Sequence, residues 1–140
     1  MYIDMDVANS YEKKAAMVLI FNQGKILSVS RKDDHTKKGL AGGKVDEGET
    51  FKEAAIRECF EETGLEAFCL IPIFSRMEPG DVDFFAIVYL AQYKGEIHKT
   101  SGKETGLVEW VGWEELSNGP FGEYNRALHN HLIDLGILDD

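Results

Sequence analysis

Cysteine, tryptophan and proline are scarce in this 140-residue chain, at two, two and three residues. So few cysteines cannot form a disulfide framework. Cys59 and Cys69 stand in apolar surroundings and read as two buried thiols of a reducing compartment, which makes the cytoplasm the expected location. Long hydrophobic runs are also lacking. The longest, Phe84 to Ala91, is far short of the roughly 20 residues a membrane helix needs. The first residues show neither a basic segment nor an apolar one of the secretory type. Positive charge is short as well: 15 Lys and Arg face 25 Asp and Glu, for a net charge of −10. That balance argues against a nucleic-acid polymer as partner, as the short apolar runs argue against a membrane. A small polyanionic substrate would depend on local positive charge or on metal ions.

What is present fits one domain over residues 1–140, with 44% hydrophobic and 29% charged residues. Residues 1–12 read as a flexible arm or an extra strand. Ala15 to Phe21 and Lys25 to Arg31 read as a hairpin about Asn22-Gln23-Gly24, followed by a long glycine-punctuated loop over 32–50. Thr50 and Glu53 form a capping box for a helix from Phe51 to Thr63, and Gly64 stands at its left-handed end. Strands are expected at Phe68–Ser75, Asp83–Gln92 and Val108–Val111, a helical turn at Trp113–Leu116, and a closing helix at Tyr124–Leu135. This is an α/β or α+β arrangement.

The Phe51–Thr63 helix carries an unusual load. On a helical wheel Ala55, Ile56, Cys59 and Phe60 occupy one arc, the expected buried face. Glu58, Glu61 and Glu62 share another arc of about 100°, abutting it. Carboxylates three and four residues apart repel, and partial burial raises their pKa values. A divalent cation would reverse the sign of that interaction. The residues alone leave two readings open, a solvated acidic face and a metal site. Other patterns fail on detail. Gly39-Leu40-Ala41-Gly42-Gly43-Lys44 is one residue short of a phosphate-binding loop, Asp4-Met5-Asp6 lacks the rest of a calcium loop, and the four histidines show no zinc spacing with the cysteines.

From Gly43 the chain continues with five residues, Glu49, seven residues, and Arg57-Glu58-Cys59-Phe60-Glu61-Glu62-Thr63-Gly64-Leu65. This resembles the Nudix box, Gly-x5-Glu-x7-Arg-Glu-U-x-Glu-Glu-x-Gly-U with U bulky and aliphatic, and all seven fixed positions match. At about 7% usage per position, a chance match in this chain has odds on the order of one in a million. Cys59 stands where an aliphatic residue is usual, and Ala41 where many members carry proline. Neither departure touches a charged position.

The resemblance implies a Nudix-like α/β/α sandwich with a central mixed sheet. It implies hydrolysis of a nucleoside diphosphate linked to another group, using Mg²⁺ or Mn²⁺ and an activated water. Glu58, Glu61 and Glu62 match the metal-binding and catalytic glutamates, and the carbonyl of Gly42 matches a further ligand position. Glu58 is the expected general base, although a distal glutamate serves in some members. Arg57 is expected to orient a carboxylate, and Glu49 to support the loop; a purely structural ion pair explains both as well. Glu104, in the loop before Val108, matches the distal metal-binding glutamate of triphosphate-hydrolysing members. Arg31, Lys32, Lys37 and Lys38 concentrate positive charge that could steer phosphates, Arg31 being the best placed. Phe121 and Tyr124 offer aromatic faces to a base, and Asn125 offers either base recognition or a helix cap. A nucleoside triphosphate, an oxidised or non-canonical one included, is the expected substrate. ADP-ribose, dinucleoside polyphosphates and a non-catalytic nucleotide-sensing role are the alternatives, and both a monomer and a homodimer stay open.

Overall fold

A computed structural model describes residues 2–78, 84–98, 106–118 and 122–138. The elements run α1 (Met5–Ser10), β1 (Lys13–Leu19), β2 (Phe21–Asn22), β3 (Lys25–Ser30), β4 (Lys38–Lys44), α2 (Phe51–Thr63), β5 (Glu66–Glu78), β6 (Phe84–Lys94), β7 (Val108–Val111), α3 (Trp113–Ser117) and α4 (Gly122–Asp134). A seven-stranded sheet has the order β2-β3-β4-β1-β6-β5, with β7 added beside β3. Among the described residues only the central β1–β6 ladder is parallel. The sheet is therefore mixed, with helices on both faces, as the family resemblance implied.

Burial on both faces explains the apolar runs of the central strands. Ala16, Val18, Ile20, Leu27, Ile87 and Tyr89 pack towards α2. Leu19, Ile26 and Val88 pack with Leu116, Leu128 and Leu132 of α3 and α4. Lys13↔Phe84 through Leu19↔Leu90 fixes the β1–β6 register, so a slip of one residue would exchange these two faces.

Five expectations change. Residues 5–10 form a helix capped by the Asp4 side chain, neither an arm nor a strand. The hairpin is shorter: β2 and β3 turn at Gln23 and Gly24, whose φ values of +52° and +79° suit a two-residue turn. β1 instead pairs with β4 and β6. The supposed loop contains β4, whose Lys-Gly-Leu-Ala-Gly-Gly-Lys sequence has little strand propensity and is held by neighbours on both sides. Cys69 is exposed, with φ +53° at a register shift of edge strand β5, because the irregular backbone turns it away from the core.

The fifth concerns α2. Ile56 and Phe60 are 39% and 52% exposed, whereas Phe51, Ala54, Ala55, Cys59 and Thr63 are buried. On the wheel the buried arc is centred at roughly 30°, close to Glu62 rather than beside it. The sheet surface opposite explains the rotation.

Candidate active site

Local chemistry fixes both ends of α2. The Glu53 N–H donates to Thr50 Oγ1 (3.1 Å), and the Thr50 N–H donates to Glu53 Oε1 (3.0 Å). Gly64 ends the helix at φ +84°, its N–H donating to the Phe60 carbonyl. Thr63 Oγ1 donates to the Cys59 carbonyl and accepts from the Leu65 N–H, which satisfies the last turn as the chain enters β5.

Opposite the buried arc of α2 lie Gly42 and Gly43, and the missing side chain of Gly43 is what admits the Glu58 carboxylate. A Cβ on Gly43 would come within 2.9 Å of the Glu58 carboxyl carbon. A Cβ on Gly42, whose φ is +151°, would lie 2.3 Å from the Ala16 carbonyl oxygen. The Gly42 N–H donates to Glu62 Oε1 at 2.8 Å. Desolvation pushes the Glu62 carboxyl up to about 7, and the charges of Glu58 and Glu61 add to the shift, while the Gly42 N–H opposes it.

Arg57 ties the remaining acids together. Its Nε and Nη2 donate to both oxygens of Glu49 (2.7 and 3.1 Å). Its Nη1 donates to Glu58 Oε1 (3.0 Å) and Glu61 Oε2 (3.1 Å), and its Nη2 also reaches the Lys44 carbonyl (3.1 Å) and pairs with Asp46 (3.3 Å). A planar guanidinium suits this bidentate, many-sided arrangement as a lysine would not. The Glu49 contact raises the Arg57 pKa, and Arg57 in turn holds the Glu49 carboxyl below its ordinary value. Glu49 also accepts from the Asp46 N–H at 3.0 Å, closing the loop before the helix. Sequence reading gave Asp46 and Lys44 no part in this cluster. The signal was only their closeness to the box.

On the opposite face of the sheet the same glycines border a largely apolar cavity of about 270 Å³. Ala15, Met17, Leu40, Phe84 and Ala86 form its strand side, and Tyr124 and Asn125 its helix side. Asn125 is 2% exposed, and its Nδ2 donates to the Leu116 carbonyl at 2.9 Å. It lies within α4 and not at its start, so the helix-cap reading fails. Tyr124 meets Phe74 edge to face at 5.6 Å, with the Arg76 guanidinium 5.8 Å from its ring centre.

A family model described as NUDIX domain matches residues 12–132. The chain belongs to the Nudix family. It is 30% identical over 100 residues to a Bacillus subtilis (strain 168) protein whose name includes the words 8-oxo-dGTP diphosphatase, a match covering 70% of this chain and 65% of that one. A MutT-like protein of Streptomyces ambofaciens is 31% identical over 73% of this chain and 64% of its own length. The chain thus spans 65% or less of these curated relatives. Among solved structures, a MutT NUDIX hydrolase from Burkholderia pseudomallei matches with a TM-score of 0.72 and 25% identity, over 86% of this chain and 97% of that chain.

Nudix hydrolases generally use divalent metal ions. Among the described residues no three acidic, histidine or cysteine side chains are gathered around one point, because Arg57 holds Glu58 and Glu61 while the Gly42 N–H holds Glu62. The donor set nevertheless fits a hard cation: carboxylate oxygens alone, one of them half-buried and opposed by neighbouring negative charge. Gly42, expected to lend its carbonyl, sits opposite Met17 in the β1–β4 ladder. Of the remaining expected residues, Glu104 and Phe121 lie outside the described residues. Arg31 is half exposed and forms an ion pair with Asp33 through two bonds of 3.0 and 3.1 Å. Lys38 pairs with Glu109 and Glu115. Neither residue lines the cavity beside Asn125.

Proposed function

We propose that this Nudix protein hydrolyses a nucleoside triphosphate to a monophosphate and pyrophosphate in a metal-dependent reaction, with oxidised or non-canonical bases among the candidates. The observation that carries this reading is the glycine pair, which borders the Arg57-bound carboxylates on one face and the Asn125 cavity on the other. A nucleotide lying across it would present its phosphates to the acids and its base to the cavity. The 8-oxo-dGTP diphosphatase wording attached to the Bacillus subtilis relative supports the same substrate class. Cytoplasmic residence belongs to this reading and is supported by two free thiols.

In this mechanism Glu58 takes the proton of the attacking water as the new P–O bond forms and the bridging P–O bond breaks, the pyrophosphate leaving as an anion. Arg57 is a positioning residue that fixes the Glu58 oxygen. Glu58, Glu61 and Glu62 would hold Mg²⁺ or Mn²⁺, with Glu104 as a candidate further ligand. A bound cation supplies charge neutralisation for the phosphates and a more acidic water. Tyr124 offers a stacking face, and Asn125 an amide to a base edge.

A panel of canonical and oxidised nucleoside triphosphates, ADP-ribose and dinucleoside polyphosphates, assayed with Mg²⁺ and with Mn²⁺, tests the reading. Chelator-sensitive release of pyrophosphate from a triphosphate is the expected result. Turnover confined to ADP-ribose or dinucleoside polyphosphates would replace the substrate. Binding without turnover of any compound would make the protein a nucleotide-sensing module.

A further inference from the structure

Helix α3 has only five residues, and its N-cap Gly112 makes no side-chain bond. So short a helix is not stable alone, and tertiary contacts decide where it stands. Several of these join it to α4. The side chains of Asn125 and Arg126, adjacent in sequence, donate to the adjacent carbonyls of Leu116 and Ser117, which the end of a helix leaves unpaired. Trp113 also lies flat against His129, their ring centres 4.6 Å apart. Where α3 stands therefore decides where the Asn125 amide stands.

Charge holds α3 on the sheet side. Lys38 and Leu40, two residues apart in β4, share the face that packs towards α3 and α4. Lys38 Nζ lies 3.0 Å from Glu115 of α3 and 3.1 Å from Glu109 of β7. To reach Glu109 it crosses β3, where Ser28 stands opposite Glu109 and Ser30 opposite Lys38, and these small residues leave room for its stem. The lysine side chain is only 18% exposed. Glu115 first, and then Glu109, raise its pKa. Next along the strand, Gly39 and Leu40 line the Asn125 cavity. The Lys38–Glu115 pair thus joins the strand wall of that cavity to the helix that anchors Asn125, without lining the cavity itself.

We propose that Lys38 is a positioning residue for base selectivity. Its bond to Glu115 fixes the spacing between β4 and α3, and through Leu116 that spacing sets where the Asn125 amide meets a base. The role rests on the nucleotide reading above and deepens it, because selectivity then depends on an ion pair outside the cavity.

Calorimetric titration of the full chain in chelator, with two nucleoside monophosphates that differ only in base, tests this role without requiring turnover. The readout is the ratio of the two affinities, from which the shared phosphate contacts cancel. Lys38→Met, which keeps the stem and removes the charge, should lower the ratio about three- to fivefold, within the range for residues coupled through shared contacts. Glu115→Gln breaks the same bond from the helix side, at a side chain 54% exposed, and should lower the ratio alike even if the Lys38 variant does not fold. Glu109→Gln removes an equal charge from beside the same lysine but leaves α3 tied, and should keep the ratio within about twofold of wild type. In an Asn125→Ala background Lys38→Met should change the ratio no further. A ratio unchanged in Lys38→Met and Glu115→Gln, an equal fall in Glu109→Gln, or a Lys38 effect undiminished without Asn125 would each overturn the proposal. Wild type that shows no base preference would overturn the base-cavity reading and the role of Lys38 with it, whereas a preference that the variants keep overturns the role of Lys38 alone.

Discussion

The two sides of the Gly42–Gly43 pair differ in how their polar groups are secured. On the α2 side one guanidinium is shared among Glu49, Glu58, Glu61 and Asp46, and a backbone N–H holds Glu62. On the α4 side a mostly apolar cavity has the Asn125 amide anchored to a carbonyl of the preceding helix. The first is an arrangement of charge, costly to assemble and suited to moving protons and holding a cation. The second is an arrangement of shape and is suited to recognition. Substitutions on the α2 side should therefore act on kcat, and those on the α4 side on substrate preference.

The largest expected effect breaks the α2 side. Glu58→Gln should lower kcat by roughly 10²–10⁴-fold, the range for loss of a general base, with circular dichroism and melting unchanged. Activity within a few-fold of wild type would move the base to another carboxylate, Glu104 first.

The glycines sharpen the contrast between fold and site. Gly42→Ala should destabilise by about 1–3 kcal/mol, since its Cβ meets the Ala16 backbone and its φ is +151°. Gly43→Ala meets only the movable end of Glu58, 2.9 Å away. It should keep the melting temperature and lose most of the turnover. Equal melting temperatures for the two variants would contradict the steric account.

How much of this was legible follows the range of the interactions. Helix α2 could be read from Thr50, Glu53 and Gly64 because its caps form within four residues of chain. The acids could be read because the box is contiguous. Strand β4 was hidden, since its glycines carry no strand propensity and only β1 and β3 make it extended. The face of α2 was also misread. Apolar Ile56 and Phe60 suggested the core, yet the sheet offers room and a donor N–H at the glycines, and the helix turns its carboxylates there. The cavity beside Asn125 joins β1, β4, β6 and α4, and no local pattern connects those segments.

A smaller effect probes the α4 side. Asn125→Ala should change the ranking of bases by about tenfold, in the range expected for losing hydrogen bonds to a base edge, with kcat on the best substrate less affected. Proportional loss on every nucleotide, or a fall in melting temperature alone, would make Asn125 structural through its bond to Leu116.

The smallest effect returns to charge. With its carboxyl raised to about 7, Glu62 keeps its proton in the native state where the unfolded chain, near 4.5, has lost it. Its contribution to metal-free stability is therefore present below about 4.5 and is lost as pH rises through 7. Glu62→Gln, measured in chelator, should melt a few degrees above wild type at pH 8 and nearly level with it at pH 4.5. A difference independent of pH would contradict the account of a partly desolvated carboxylate. Added Mg²⁺ should raise the wild-type melting temperature more than that of the variant.

A double-mutant cycle tests the division of labour most directly. Glu58→Gln, Asn125→Ala and the double variant would be compared with wild type in kcat and kcat/KM, on the best nucleotide and on one differing only in its base. The account predicts that the Glu58 change lowers kcat equally for both nucleotides, that the Asn125 change alters their ratio, and that the two effects multiply in the double variant. A Glu58 effect that depends on the base, or an Asn125 effect confined to kcat and equal for both nucleotides, would contradict it.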